Sequence, residues 1–307
     1  MKIVFMGTPK AAVPSLERLV DDGYDVVAVY TQPDRPSGRG NKIALSPVKE
    51  SALKMGIPVL QPTKIKTPEA RAELSSFAAN VLVVVAYGRI LPETFLTAFP
   101  SGAINVHFSL LPKYRGAAPV NWAIVNGETL TGVTTMKMDA GLDTGDILLQ
   151  RTTEVGSEET AVELMDRLSS LGAELLSETL RNHETIVPQA QNDLEASFAP
   201  IMKKEDGLIS WMLGADEIAR RVRGFQPFPT TFTYFENKKL TLWKAEKIEQ
   251  ESSGGIGELV EAKGDALLVT CGGGSVLKID ELQLEGKRRM TTRDFLNGIK
   301  LKPGQSI

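Results

Sequence analysis

AINVHFSLLPKYRGAAPVNWA, residues 103–123, begins as a short, largely apolar run and then breaks into a loop punctuated by Pro112, Gly116 and Pro119. A run of that length suits a strand buried on both faces, as in parallel sheets covered by helices. The pattern recurs upstream in KIVFM (2–6), DVVAVY (25–30), IPVL (57–60) and NVLVVVAY (80–87). Helical spacing separates these runs: over 11–22, Val13, Leu16, Leu19 and Val20 share a face. Strands alternating with helices predict an α/β fold, a Rossmann-like and mostly parallel sheet with helices on both faces. GVTTMKM (132–138) alternates and reads as an added edge strand, and a helical pattern over 158–182 closes this part.

Beyond it, residues 184–206 lose periodicity and carry two prolines. A short helix near 214–223 follows, then the aromatic and β-branched stretches TTFTYF (230–235), LTLWKA (240–245) and ALLVT (266–270). Glycine turns at 254–255 and 272–274 lie between the strands, which predicts a small OB-like β-barrel. The expected division is 1–188, a linker at 189–206, and 207–307.

With 42% hydrophobic and 24% charged residues, the 307-residue chain has the composition of a folded globular protein, not a fibrous or disordered one. No apolar run approaches the roughly 20 residues of a membrane helix. The N-terminal apolar stretch is too short for a secretory signal, so a cytoplasmic location with no membrane partner is expected. One cysteine, Cys271, excludes an internal disulfide, and with His107 and His183 as the two histidines no metal is expected.

The net charge of −3 argues against nonspecific binding to DNA or other nucleic acid over the whole surface. Locally the balance reverses. Between 32 and 66, Arg35, Arg39, Lys42, Lys49, Lys54, Lys64 and Lys66 face only Asp34 and Glu50. That stretch is either a solvated face or a docking surface for an anion. Within it, 31–47 holds Pro33, Pro36, Gly38, Gly40 and Pro47 and reads as a long loop, of the kind that usually carries function.

Nucleotide-binding signatures are missing, with no GxxxxGK[ST] and no GxGxxG after the first strand, and there is no GxSxG nucleophile elbow either. The informative pair is Asn105 and His107. Two residues apart on a strand, they share a face, at the carboxyl end where open α/β sheets place ligands. An amide and an imidazole together suit addition to a carbonyl, one donating to the developing oxyanion and the other handling a proton. The same two groups also serve to satisfy loop backbone at a strand end. Downstream, DAGLDTGDIL (139–148) sets Asp139, Asp143 and Asp146 in a glycine-rich turn, and a carboxylate beside an imidazole orients it.

Taken together, Asn105-Val106-His107, the following SLLPKYRGAAP and the downstream GLDTGDIL resemble the formyltransferases that use 10-formyltetrahydrofolate. FMGTP (5–9), TQPDRPSGRGNK (31–42), VVVAYGRILP (83–92) and RRVRGFQPFP (220–229) are similar to the branch acting on initiator methionyl-tRNA. The resemblance runs from residue 3 to about 300, with one departure, Phe108, where a small residue is usual. It implies a catalytic domain over 1–188 and a tRNA-binding domain over 207–307 of a monomer.

In this resemblance Asn105 and His107 stabilise the tetrahedral oxyanion, while Asp143 orients His107 and helps the attacking amine lose its proton. Folate would lie against Ser109, Leu110, Leu111 and Pro112, bordered by Tyr87, Gly88, Ile90 and Leu91. The inserted loop would enter the tRNA acceptor end through Arg39, with Lys42 and Arg35 beside it. Competing readings are a formyltransferase for a small amine such as an amino-sugar nucleotide or glycinamide ribonucleotide, a noncatalytic folate- or RNA-binding protein, and, most weakly, a metal hydrolase using the Asp cluster. The full Asn105, His107 and Asp143 set and the second domain favour the tRNA enzyme.

An amine attacks only when neutral. The transfer rate is therefore expected to fall at acid pH, which a pH–rate profile with saturating substrates checks.

Overall fold

The computed structural model describes residues 1–37 and 42–307. The chain divides into two compact units, one comprising 1–119, 130–154 and 165–200, the other 120–129, 155–164 and 201–307.

Along the first stretch of chain come β1 (Lys2–Gly7), α1 (Val13–Asp21), β2 (Asp25–Tyr30), β3 (Arg35–Ser37), β4 (Lys42–Ala44), α2 (Pro47–Lys54) and β5 (Val59–Leu60). Then follow α3 (Pro68–Ser76), β6 (Val81–Val85), α4 (Glu93–Leu96), β7 (Ala103–His107), β8 (Arg115–Gly116) and α5 (Pro119–Val125). β9 (Leu130–Lys137), β10 (Ile147–Glu154), α6 (Ala161–Arg181) and β11 (Phe198–Ala199) complete this stretch. Ser46 and Thr67 cap α2 and α3, each accepting the N–H three residues on, and Pro47 and Pro68 follow them at the first helical position.

A seven-stranded sheet runs in the order β10-β9-β7-β6-β1-β2-β5. Its β5-β2-β1-β6-β7 portion is parallel, as the apolar runs predict, and β9 joins β7 antiparallel. The strand order reverses between β1 and β6, so their carboxyl ends open the crevice used by ligands in such sheets. Register aligns Gly7 with Val85 and Val84 with Asn105. One face, carrying Val4, Met6, Leu82, Val84 and Ala103, packs on Ala70, Leu74, Phe95 and Leu96 of α3 and α4. On the other, Val106 and Val133 lie against α6, where Thr135 and Thr179 hydroxyls meet at 2.8 Å.

Three sequence expectations change. β9 is not the edge: β10 pairs outside it, its polar Gln150, Arg151 and Thr153 masking an exposed strand. The 31–47 loop contains a short antiparallel ladder between β3 and β4, whose Pro36 and charges hide any alternation. The aperiodic 184–206 stretch contributes β11, which pairs parallel with β8.

In the second unit, α7 (Ala215–Gly224), β12 (Thr231–Phe235), β13 (Lys238–Glu251), β14 (Leu259–Lys263), β15 (Ala266–Thr270), β16 (Ser275–Leu284), β17 (Met290–Thr291) and α8 (Thr292–Gly298) follow. β12-β13-β16-β15-β14 form an antiparallel sheet, with β17 also on β16. Its core includes Ile218, Val222, Leu240, Leu242, Leu277, Ile279 and Phe295. Cys271 belongs to that core, and burial pushes its thiol up to about 11, which keeps it protonated and inert as a nucleophile. α5 packs in the same unit: Trp122 meets Phe225 edge-on at 5.6 Å, and Asn121 donates to the Gly224 carbonyl at 2.7 Å.

α6 approaches the sheet at Gly172, where a Cβ would meet Val106 Cγ1 at 3.0 Å and Phe108 Cε1 and Val133 Cγ1 at 3.4 Å. Gly172→Val is expected to destabilise the protein by about 2 kcal/mol through overpacking, measured by urea unfolding.

Candidate active site

β7 presents Asn105 and His107 on the face that also carries Ala103 and Val84, while Val106 turns toward α6. Both polar residues are buried, at 8% and 6% exposure. Their circumstances differ. His107 Nε2 lies 2.9 Å from the Tyr114 carbonyl, which can only accept, so Nε2 carries the proton. That leaves Nδ1 facing Asp143, whose Oδ2 is 3.7 Å away. The Asn105 amide has no hydrogen-bond partner among the described residues. An amide that the surrounding protein leaves unpaired at a strand end suits a group that bonds to a bound molecule.

Asp143 reaches this place by an indirect route. The turn after β9 starts beside Ala103, where Met138 N–H donates to the Ala103 carbonyl at 2.8 Å, and folds back over the face of β7. Asp143 has a φ of 54°, in the left-handed region where a side chain is disfavoured. Its Oδ2 accepts the Gly116 N–H at 2.8 Å, and Asp139 closes the turn by accepting from Gly141 N–H at 3.0 Å and from the Thr144 hydroxyl at 2.8 Å. Asn105, His107 and Asp143 are thus brought together, while Asp139 does turn chemistry.

Ser109, Leu110, Leu111 and Pro112 form the loop leaving β7. Thr134, fully buried, braces it by donating to the Ser109 carbonyl (2.7 Å) and accepting from Leu111 N–H (3.1 Å), and Gln150 donates to the Leu111 carbonyl (2.8 Å). Ser109 Oγ donates to the Lys113 carbonyl at 2.7 Å, and Leu110 Cδ2 sits close over Gly132. Ser109 and Leu111 are buried, Leu110 and Pro112 half-buried. The second group divides: Tyr87 and Leu91 lie in the core beneath the sheet face, Gly88 and Ile90 are exposed. Ile90, with Arg89 and residues 63–67, lines a cavity of about 500 Å³.

Phe108 leaves the His107 side altogether. It is buried and its ring faces Gly172 of α6, so its bulk is absorbed by helix packing.

Arg39 lies outside the described residues; Arg35 and Lys42 lie on β3 and β4. Lys49 from the same basic stretch turns inward, its ammonium 2.5 Å from Asp34 and 2.6 Å from Gln61 Oε1. The Lys49 hydrogen bond, helped by Gln61, holds the Asp34 carboxyl below its usual range. Gln61 also donates to the Gln32 carbonyl (2.8 Å), and Gln32 Nε2 donates to the Tyr87 carbonyl (3.1 Å). The base of the basic stretch is therefore tied to the end of β6.

Sequence reasoning missed Arg115, Gln191 and Ser197, which brace the loop bearing His107's partner carbonyl. Ser197 Oγ accepts the Tyr114 N–H at 2.9 Å, and Arg115 is only 4% exposed. The one signal was Arg115 itself, charged between Pro112 and Gly116 in a segment otherwise reading as loop.

The Formyl transferase family matches residues 1–180, and its C-terminal domain matches 201–300. The chain is 49% identical over 306 residues to a methionyl-tRNA formyltransferase of Geobacter metallireducens, covering 99% of this chain and 97% of that one. It is 51% identical over 307 residues to one of Caldanaerobacter subterraneus subsp. tengcongensis, covering 99% of each. Among solved structures, methionyl-tRNA formyltransferase from Clostridium thermocellum superposes with TM-score 0.58 at 19% identity, over 80% of this chain and 93% of that one. An N-formyltransferase of Helicobacter canadensis, in complex with folinic acid and dTDP-3-aminofucose, gives TM-score 0.69 at 21% identity, over 91% and 98%. At those identities the two structures establish a shared fold.

The turn bearing Asp143 tolerates no side chain at Gly145, where a Cβ would collide with the Lys137 carbonyl. Gly145→Ala is expected to displace Asp143 and lower kcat for formyl transfer by roughly 10²-fold, in keeping with the cost of about 1 Å of misplacement. Steady-state kinetics check this.

Proposed function

The chain belongs to the methionyl-tRNA formyltransferases, and on that premise we propose that it moves the formyl group of 10-formyltetrahydrofolate to the amino group of methionine on initiator methionyl-tRNA. The product is N-formylmethionyl-tRNA for translation initiation. The observation that carries the reading is full-length identity near one half to enzymes of that name, joined to the convergence of Asn105, His107 and Asp143.

In this reading the methionine nitrogen adds to the formyl carbon, and the carbonyl oxygen gathers negative charge. The Asn105 amide, which no described residue engages, donates to that oxygen. His107 acts through Nδ1, since Nε2 is committed to the Tyr114 carbonyl. A proton taken at Nδ1 gives an imidazolium beside the Asp143 carboxylate, able to donate to the oxyanion and to pass the proton on. The tetrahedral adduct then collapses by breaking the bond to N10 of the folate, which takes up a proton. No side-chain nucleophile is needed.

Ser109, Leu110, Leu111 and Pro112 with Tyr87, Gly88, Ile90 and Leu91 are assigned to the folate. The pterin would meet mainly backbone groups, with the exposed Gly88 and Ile90 on the approach. Arg39, Lys42 and Arg35 are assigned to the tRNA acceptor end. Arg suits phosphate and base edges through its planar fork, and Lys42 adds a point charge. The catalytic region spans 1–188, the linker 189–206 and the tRNA-binding region 207–307. The enzyme is assigned to the cytoplasm as a monomer that needs no metal, DNA or membrane.

The test is formyl transfer from 10-formyltetrahydrofolate to charged initiator and elongator methionyl-tRNAs. Transfer to the initiator alone is expected, with Asn105→Ala losing roughly 10²–10³ in kcat, the usual cost of one oxyanion donor. Activity on an amino-sugar nucleotide and on neither tRNA would reverse the reading.

A further inference from the structure

Gln191, in the aperiodic stretch between α6 and β11, is bonded at both ends of its amide. Nε2 donates to the carbonyls of Asp143 (2.9 Å) and Gly145 (2.7 Å), and Oε1 accepts from Arg115 Nε (3.0 Å) and Nη2 (2.8 Å). Arg115 is buried and reaches outward to Asp193, at 2.8 Å. The next residue, Gly116, donates its N–H to Asp143 Oδ2. A closed circuit results: Gln191 holds the Asp143 backbone, Gly116 its carboxylate, and Arg115 links the two through the chain and its guanidinium. The pairing of β8 with β11 fixes the frame, and Gly116 allows it, since a Cβ there would meet the Ala199 carbonyl at 2.5 Å.

We propose that Gln191, through Arg115 and the Asp143 turn, is a positioning residue for formyl transfer: it sets where the Asp143 carboxylate stands relative to His107 Nδ1. This rests on the assignment of His107 and Asp143 to catalysis. Two observations make the clamp necessary to that geometry. At 3.7 Å, the His107–Asp143 contact is longer than a hydrogen bond, so the imidazole does not hold the carboxylate in place. Asp143 also sits at a positive φ, a conformation that persists only where its surroundings impose it. Gln191 supplies that constraint through two amide hydrogen bonds to the turn, and its anchor is an arginine withdrawn from solvent.

The experiment compares full-length wild type, Gln191→Met and Asp193→Asn. Gln191→Met removes both ends of the clamp at similar volume; Asp193→Asn weakens only an ion pair whose carboxylate is exposed. Measurements are kcat and KM for both substrates, thermal midpoints, and imidazole nitrogen chemical shifts, which are readable because the chain has two histidines. The expected result for Gln191→Met is a kcat roughly tenfold or more below wild type. Both KM values should stay within about threefold and the His107 nitrogen shifts should move while those of His183 do not; the thermal midpoint should fall by a few degrees, because the buried Arg115 loses Gln191. Asp193→Asn should keep wild-type kcat. A Gln191→Met enzyme with wild-type kcat, or with unmoved His107 shifts, would overturn the proposal. So would a loss of rate with KM values raised well beyond threefold and the His183 shifts moving along with those of His107, the pattern of a merely structural residue. An inactive wild type would instead strike the functional reading, which the tRNA assay tests separately.

Discussion

The 2.9 Å hydrogen bond between His107 Nε2 and the Tyr114 carbonyl is the interaction on which the rest of the site depends. It joins the end of β7 to the loop that follows, fixes which ring nitrogen holds the proton, and so leaves Nδ1 toward Asp143. For that bond to form, the loop must turn back on itself. Tyr114 adopts a positive φ of 61°, and its N–H is held by Ser197. Thr134 and Gln150 satisfy the polar backbone at Ser109 and Leu111, so a buried irregular loop is tolerated beside a dry sheet.

This bracing separates two kinds of polar group in one small region. Most are committed to the protein: Thr134, Gln150, Ser109 and Gln191 hold backbone in place, and Arg115 holds Gln191. Asn105 is the contrast, a side chain at 8% exposure without a hydrogen-bond partner among the described residues. A braced surround with a free amide donor is what electrostatic stabilisation of a developing oxyanion requires, because little reorganisation then accompanies the reaction.

Much of this was legible in the sequence, for physical reasons. Continuous apolar runs specify parallel strands directly, so β1, β2, β6 and β7 emerge from their letters almost to the residue. Period two on a strand puts Asn105 and His107 on one face without any further knowledge. What escaped is what pattern does not encode. β10 is hidden by polar residues on an exposed edge. β11 is too short to show a period, and its role depends on a partner 83 residues away at Arg115. Gln191 lies in a stretch without periodicity, and its importance arises only from contacts distant in sequence. The basic stretch misled in part, because charge counts do not show that Lys49 faces inward to Asp34 and Gln61.

A crystal structure with a stable formyl-folate bound tests the role of Asn105 directly. The formyl oxygen is expected at about 3 Å from Asn105 Nδ2, within reach of His107 Nδ1, with the Tyr114 contact to Nε2 retained. A formyl group seated beyond the reach of Asn105, with that amide turned to a protein partner, would contradict it.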